Sequence, residues 1–400
     1  GGSAIDAAIA VQLVLGLVEP QSSGLGGGAF IVHFDRATGA VTTFDGRETA
    51  PALAKTDRFL KDGAPMAFPD AVHSGLSVGV PGVLRALELA HEKYGKLPWA
   101  NLFQPAIALA EKGFPMPERL HELLKGESAA AFGEQARGYF FDSAGAAKPP
   151  GTPMQNPAYA ETLKVLARDG AKAFYTGAIA EAIVAAVQAA PIASGDMSLA
   201  DLAGYRAKER EPVCFLYRVY RICGMGPPSS GGLTVAQILK LIAPLTDAGQ
   251  DKNMEAPGSR ARIAQIHLMA EAEKLAFADR NRYIADPDFV RVPSGLLDDA
   301  YLAERRQRID PRRSMAKPEA GVPPGIDKRS FGADRTIERH GTSHISIVDA
   351  HGNALAMTTT IEGAFGSHLW VKGFLLNNQL TDFSFAPTDA DGMAVANGVV

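Results

Sequence analysis

Two periods organise the apolar positions of this chain. Between Ser3 and Val18 apolar residues form a nearly unbroken run behind a serine, with Asp6 in the first turn, which predicts a serine-capped, largely buried helix. Apolar, alanine-rich positions three and four residues apart predict further helices at 82–94, 99–112, 157–168, 179–189, 233–245 and 264–283. Strands are expected elsewhere. The glycine turn in "PQSSGLGGGAFIVHF" leads into one ending at Phe34, a second is expected over 40–51, and "CFLYRVYRIC" reads as a single strand-like stretch. In "HGTSHISIVDAHGNALAMTTTIEG", His340 to Gly363, polar and apolar residues alternate on both sides of a short His-Gly-Asn turn, the pattern of a half-buried β-hairpin.

A turn centred on His351 and Gly352 sets Ser346 opposite Met357 and Ser343 opposite Thr360. One residue of slip brings Thr360 beside Thr342, and cross-strand neighbours lie about 5 Å apart. Strand propensity by itself explains hydroxyls on such a surface. The preceding segment adds a chemical reading. Residues 310–341 carry four prolines and twelve charged residues with little apolar content, so they are expected to be a long exposed linker that ends at Gly341. A threonine released at its own amino end carries its base with it, because its α-amine can take the hydroxyl proton during attack.

Composition narrows the partners. With 400 residues, 46% hydrophobic and 21% charged at a net charge of −4, the chain has the make-up of an ordinary globular protein and no basic run that suggests nucleic acid. Its longest apolar run, Ala7 to Val18, is too short for a membrane span. Nine scattered histidines form no H-E-x-x-H, so no metal site is expected. Cys214 and Cys223 either pair or serve as small buried apolar groups; two cysteines in a chain of this size are no disulfide scaffold, which favours the second. Gly24, Gly26 and Ala29 satisfy G-x-G-x-x-A, but here a helix precedes the glycines and a strand follows them. That order is the reverse of a dinucleotide loop, so the run reads as a tight turn where backbone passes close to backbone.

The blocks "GGSAIDAAIAV", "EPQSSGLGGGAF", "FDGRETAP", "GVPG", "PPSSGGLT", "EAEKLAFADRNRYIADPDFV", "TSHISIVDAHGNA" and "GFLLNNQLTDFS" occur in order along essentially the whole chain. In these the chain resembles the γ-glutamyltransferase (γ-glutamyltranspeptidase) family of N-terminal-nucleophile hydrolases. The resemblance implies an α/β fold, an αββα four-layer sandwich, here truncated at both ends. It also implies a precursor that cuts itself between Gly341 and Thr342 without a cofactor. Residues 1–341 would form the large-subunit region and 342–400 the start of the small subunit, co-folded as one unit. Thr342 is then the nucleophile and Thr360 its hydrogen-bonding neighbour.

By the same likeness Arg47 takes the α-carboxylate of a γ-glutamyl donor, which suits the bidentate fork of a guanidinium. Asp382 and Gln379 take the donor's α-ammonium at the opposite end of the pocket. The implied activity cleaves γ-glutamyl amides such as glutathione and passes the acyl group to water or to an amino acid or peptide. The implied location is periplasmic or extracellular. Two departures bear on substrate. Glu362 stands where well-known transpeptidases carry Asn, and the tyrosine-bearing loop that covers the pocket in some bacterial members is missing after "NNQLTDFS". These leave a glutaryl β-lactam acylase, a poly-γ-glutamate processing enzyme and a non-catalytic binding homologue as alternatives. The family's oxyanion-hole residues are expected beyond Val400.

Overall fold

The computed structural model describes residues 1–247, 260–326, 331–332, 334 and 341–398. They divide into two compact units, one of Gly1–Arg210 with Ile337–Phe385 and the other of Glu211–Thr336 with Ala386–Gly398.

The first unit opens with helix α1, Ala4–Val18, capped as its sequence requires. Ser3 Oγ accepts the Asp6 N–H at 3.2 Å, and the Asp6 carboxylate accepts the Ser3 N–H at 2.7 Å. The same carboxylate accepts the amides of Lys96 and Leu97, which pins the start of α1 to the turn between two later helices. Strands β1, Gly28–Phe34, and β2, Val41–Gly46, follow, then helices α2, Val83–Tyr94, α3, Trp99–Lys112, α4, Pro157–Asp169, and α5, Ala178–Gln188. Strand β3 is Lys208–Arg210, and the hairpin near the C-terminal end supplies β4, Thr342–Val348, and β5, Ala354–Thr360.

These strands make one antiparallel sheet in the order β4-β5-β1-β2-β3. Helices α1 and α2 pack on one face of it. Strand alternation dictates that face: Ala29, Ile31 and His33 of β1 point into the core while Phe30, Val32 and Phe34 are only half-buried on the other side. Ile31, Phe44, Ile345 and Met357 join Leu13, Leu17, Val83 and Leu87 in a single buried cluster.

The second unit is a helical group, Gly231–Asp247, Arg260–Tyr283 and Asp299–Arg306, around Leu241, Leu275, Ala276 and Leu302. Asp279 is its polar centre, accepting from Arg305 at 3.1 Å, Tyr301 Oη at 2.7 Å and the Gly321 N–H at 2.8 Å.

Several expectations need correction. "CFLYRVYRIC" is a tight hairpin, Val213–Tyr217 against Tyr220–Gly224, because Arg218 takes a left-handed backbone at φ 55° and turns the chain back. That turn sets Cys214 directly opposite Cys223, and the two form a disulfide. In the 342–360 hairpin the observed register is Thr342↔Thr360 and Ile345↔Met357, one residue from the turn-centred estimate, because Asp349 N–H closes on Asn353 O. The strand expected over 40–51 ends at Gly46. Of the linker expected over 310–341, residues 310–326 form no helix or strand, and 327–330, 333 and 335–340 lie outside the described residues.

Ile31 is fully buried between the sheet and its helices. Ile31→Ala is expected to destabilise the first unit by about 3 kcal/mol, read as a lower urea midpoint with an unchanged slope.

Candidate active site

Sheet register assembles the site. Thr360 is the Cα partner of Thr342 on one side and of Gly28 on the other, so the three lie in one row across β4, β5 and β1. Thr342 Oγ1 donates to Thr360 Oγ1 at 3.1 Å; Thr360 Oγ1 donates in turn to the Gly341 carbonyl at 2.9 Å and accepts the Glu362 N–H at 2.8 Å. The hydroxyl of Thr342 is thereby linked through one other hydroxyl to the carbonyl of the peptide bond just before it.

The glycine run explains how other strands come so close. A side chain on Gly27 would collide with the Thr360 carbonyl, and one on Gly26 with the Leu375 carbonyl. This is the close backbone passage expected of the turn, and it lies directly beneath the threonine pair.

Gln379–Asp382 form a short 3-10 turn, and its position is set by the two asparagines before it. Asn377, fully buried, donates to the Gly26 and Gly79 carbonyls at 2.7 and 2.9 Å and accepts the N–H groups of Gly79 and Gln379 at 2.9 and 3.0 Å. Asn378 donates to the Glu362 carboxyl and to Thr381 Oγ1, and accepts the Gly363 N–H at 2.9 Å. Sequence reasoning passed over both residues. Their only signal was an Asn-Asn pair amid an apolar run, which demands internal hydrogen bonds if buried.

Arg47 and Asp382, expected at opposite ends of a pocket, are paired with each other at 2.5 Å, with side chains 32% and 30% exposed. Gln379 Nε2 donates to the same Asp382 oxygen at 2.5 Å. Asp45 does not take the Arg47 guanidinium; it accepts the Arg47 N–H at 2.8 Å and Arg210 Nε at 2.6 Å.

Among the described residues two carboxyls in the site, Glu48 and Glu362, have no cation at ion-pair distance. Glu362, 6% exposed and at φ 74°, is pushed up to about 7, first by burial and then by the nearby Asp382 charge. Glu48, 7% exposed, has no hydrogen bond from another of the described residues to either carboxyl oxygen, and burial drives it up to about 8. Its carboxyl fills the space that a side chain on Gly28 would need, in the row of the threonine pair. Nothing in the local sequence pattern around Glu48 marks it as buried. Among the described residues no group of three or more His, Cys, Asp or Glu side chains can hold a metal ion.

An antiparallel sheet with helices stacked on one face and a threonine opening its edge strand is the α/β fold of N-terminal-nucleophile hydrolases, and one sheet and one helix layer of the αββα sandwich lie within the described residues. The chain belongs to the gamma-glutamyltranspeptidase family, which it matches over residues 1–399. It is 36% identical over 401 residues to the glutathione hydrolase proenzyme of Bacillus subtilis (strain 168), covering 98% of this chain and 66% of that protein. The chain thus spans just under two-thirds of the length of this relative. The crystal structure of Helicobacter pylori gamma-glutamyltranspeptidase superposes with a TM-score of 0.73 at 34% identity, over 84% of this chain and 92% of that one. The cephalosporin acylase of Bacillus halodurans superposes with a TM-score of 0.79 at 26% identity, over 100% of this chain and 70% of that one.

The raised Glu48 pKa carries a stability consequence. A carboxyl whose folded pKa lies above its unfolded value of 4.5 favours the fold below that value, and this contribution is lost as pH rises through about 8. Glu48→Gln is therefore expected to melt close to wild type near pH 4.5 and above it at pH 8 to 9, with melting temperature against pH as the readout.

Proposed function

We propose that the full-length protein is a self-processing γ-glutamyl transferase and hydrolase. The observation that carries this reading is the hydroxyl chain from Thr342 through Thr360 to the Gly341 carbonyl. In processing, Thr342 Oγ1 attacks the Gly341 carbonyl carbon, the C–N bond breaks, and the Thr342 amine takes up the hydroxyl proton. Water then hydrolyses the ester, leaving a carboxylate on Gly341 and a free amino-terminal Thr342. Residues 1–341 become the large subunit and Thr342 opens the small one.

In turnover the freed amine accepts the Thr342 hydroxyl proton as Oγ1 attacks the γ-carbonyl of the donor, and returns it to the departing amine. Water or an acceptor amine then takes the acyl group from the ester. The Arg47–Asp382 pair supplies the selectivity. A zwitterionic α-amino acid head group exchanges that pair for two new ones, its carboxylate on Arg47 and its ammonium on Asp382 and Gln379. A glutaryl group, which lacks the ammonium, would take Arg47 and strand Asp382.

A second reading, an acylase for glutaryl β-lactams or a poly-γ-glutamate processing enzyme, draws on Glu362: a carboxyl held near neutrality tolerates an acyl group without an ammonium. A non-catalytic binding homologue would remain uncut. Location outside the cytoplasm is supported by the Cys214–Cys223 disulfide, since such bonds persist in oxidising compartments.

Intact mass of the protein expressed from the full-length gene tests the reading. Wild type is expected as two fragments, the second beginning at Thr342, and Thr342→Ala as one chain; a folded, uncut wild type would overturn it. In the cut enzyme Asp382→Asn should lower kcat/KM for a γ-glutamyl anilide by about 10–100-fold and leave a glutaryl anilide within about twofold. An equal loss on both would contradict the ion-pair exchange.

A further inference from the structure

One carboxylate and one amide hold the turn that joins β4 to β5. Asp349 Oδ1 accepts the N–H groups of His351 and Asn353 at 2.8 and 3.1 Å, and its Oδ2 accepts Asn353 Nδ2 at 2.9 Å. Two further contacts leave the hairpin. Asp349 Oδ2 also accepts the Ala4 N–H at 3.2 Å, and Asn353 Oδ1 accepts the Arg36 N–H at 3.0 Å. The first reaches the start of α1 and the second the turn between β1 and β2.

Both anchors are themselves fixed. Ala4 is fully buried, so its N–H, one of those that a helix start leaves unpaired, has no water to turn to. Asp6 ties the same helix end to the Lys96 and Leu97 amides. In the β1–β2 turn the Asp35 carboxylate accepts the Ala37 N–H and Thr38 Oγ1, both at 2.9 Å. Burial opposes the charge of Asp349, but the Asn353 side chain and the N–H groups of His351, Asn353 and Ala4 hold it down to about 2, and it faces the positive end of α1 as a carboxylate.

Core packing chooses the face of β4 but not its place along β5. Among the described residues β4 is the edge strand, paired only with β5. A slip of two residues, about 7 Å, would keep every β4 side chain on its own face and set His344 opposite Thr360 in place of Thr342. Asp349 cannot move that far and keep the Ala4 N–H. The cut proposed at Gly341 sharpens the need, since it leaves the strand covalently tied at its turn end alone.

We propose that Asp349 and Asn353 are positioning residues for acyl transfer, whose clasp on α1 and on the β1–β2 turn holds Thr342 opposite Thr360. The proposal rests on the acyl-transfer reading of that threonine. Neither residue touches the reacting atoms; each acts through the length of β4 on where Thr342 Oγ1 stands when it attacks the donor carbonyl.

The test uses the full-length protein, with cut enzyme in excess over a γ-glutamyl anilide so that a single turnover is observed. Asp349→Asn keeps the oxygen that the turn needs and loses the link to Ala4; Asn353→Ala loses the link to Arg36. Each is expected to lower the saturating rate of aniline release about tenfold and to leave the half-saturating enzyme concentration within about twofold, because Arg47 and Asp382 stand on other elements. A merely structural loss does the opposite: fewer folded molecules raise the half-saturating concentration and leave the saturating rate as it was. The double variant should be no slower than the slower single, since both break one clasp. Unchanged saturating rates in both single variants would overturn the proposal. Hydrogen exchange, which needs neither cut nor turnover, separates it from the reading it rests on. Amides of 342–348 are expected to exchange about tenfold faster in both variants, with those of β2 unchanged. That result in a protein with no acyl transfer would uphold the clasp and sink the activity; acyl transfer with unaltered rates and exchange would do the reverse.

Discussion

The register Thr342↔Thr360↔Gly28 is the constraint on which the rest of the site depends. Antiparallel pairing places directly opposed side chains on one face about 5 Å apart, so register alone brings two hydroxyls within hydrogen-bonding reach. A slip of one residue would send Thr342 to the helix-covered face, where Ser343 and Ile345 now point. What holds the register is buried: Ile345, Met357 and Ile31 align in adjacent strands beneath α1 and α2. In the proposed reaction the core is therefore part of the chemistry, since it decides which residue of the edge strand faces the Gly341 carbonyl side of the row.

Around that row the site is electrostatically divided. Arg47 and Asp382 satisfy each other at the partly exposed end, an arrangement that a zwitterion can enter by exchange without leaving a charge unpaired. Deeper in, Glu48 and Glu362 sit where burial favours their neutral forms. Beside the proposed nucleophile, neutral carboxyls would add little repulsion to a developing oxyanion, and each becomes more acidic when a cation arrives. Glu362 touches both the threonine row, through its N–H on Thr360 Oγ1, and Asn378, through its carboxyl, so it ties the Gln379–Asp382 turn to that row.

Much of this was legible from residue order. Ser3 and Asp6 announced the capping box, the period-two alternation announced the hairpin, and the glycines between a helix and a strand announced a close backbone crossing. The one-residue register error arose because turn residues constrain a loop only loosely, whereas the Asp349–Asn353 closure depends on side-chain hydrogen bonds of Asp349 that pattern does not encode. Glu48 was missed because burial of a charged residue is a tertiary fact: it depends on Gly28 and Gly79, far apart in the chain, leaving room for its side chain. The Cys214–Cys223 bond escaped for a similar reason, since a left-handed Arg218 turned an apparent strand into a hairpin.

The central claim is that Thr342, held by its register with Thr360, carries the acyl group. Its most direct measurement is a peptide mass map of the cut full-length enzyme, quenched in acid during turnover of a γ-glutamyl anilide. The account predicts one γ-glutamyl group on the peptide that begins at Thr342, formed fast enough to be an intermediate. A label on any other residue, or no covalent label while product accumulates, would contradict it.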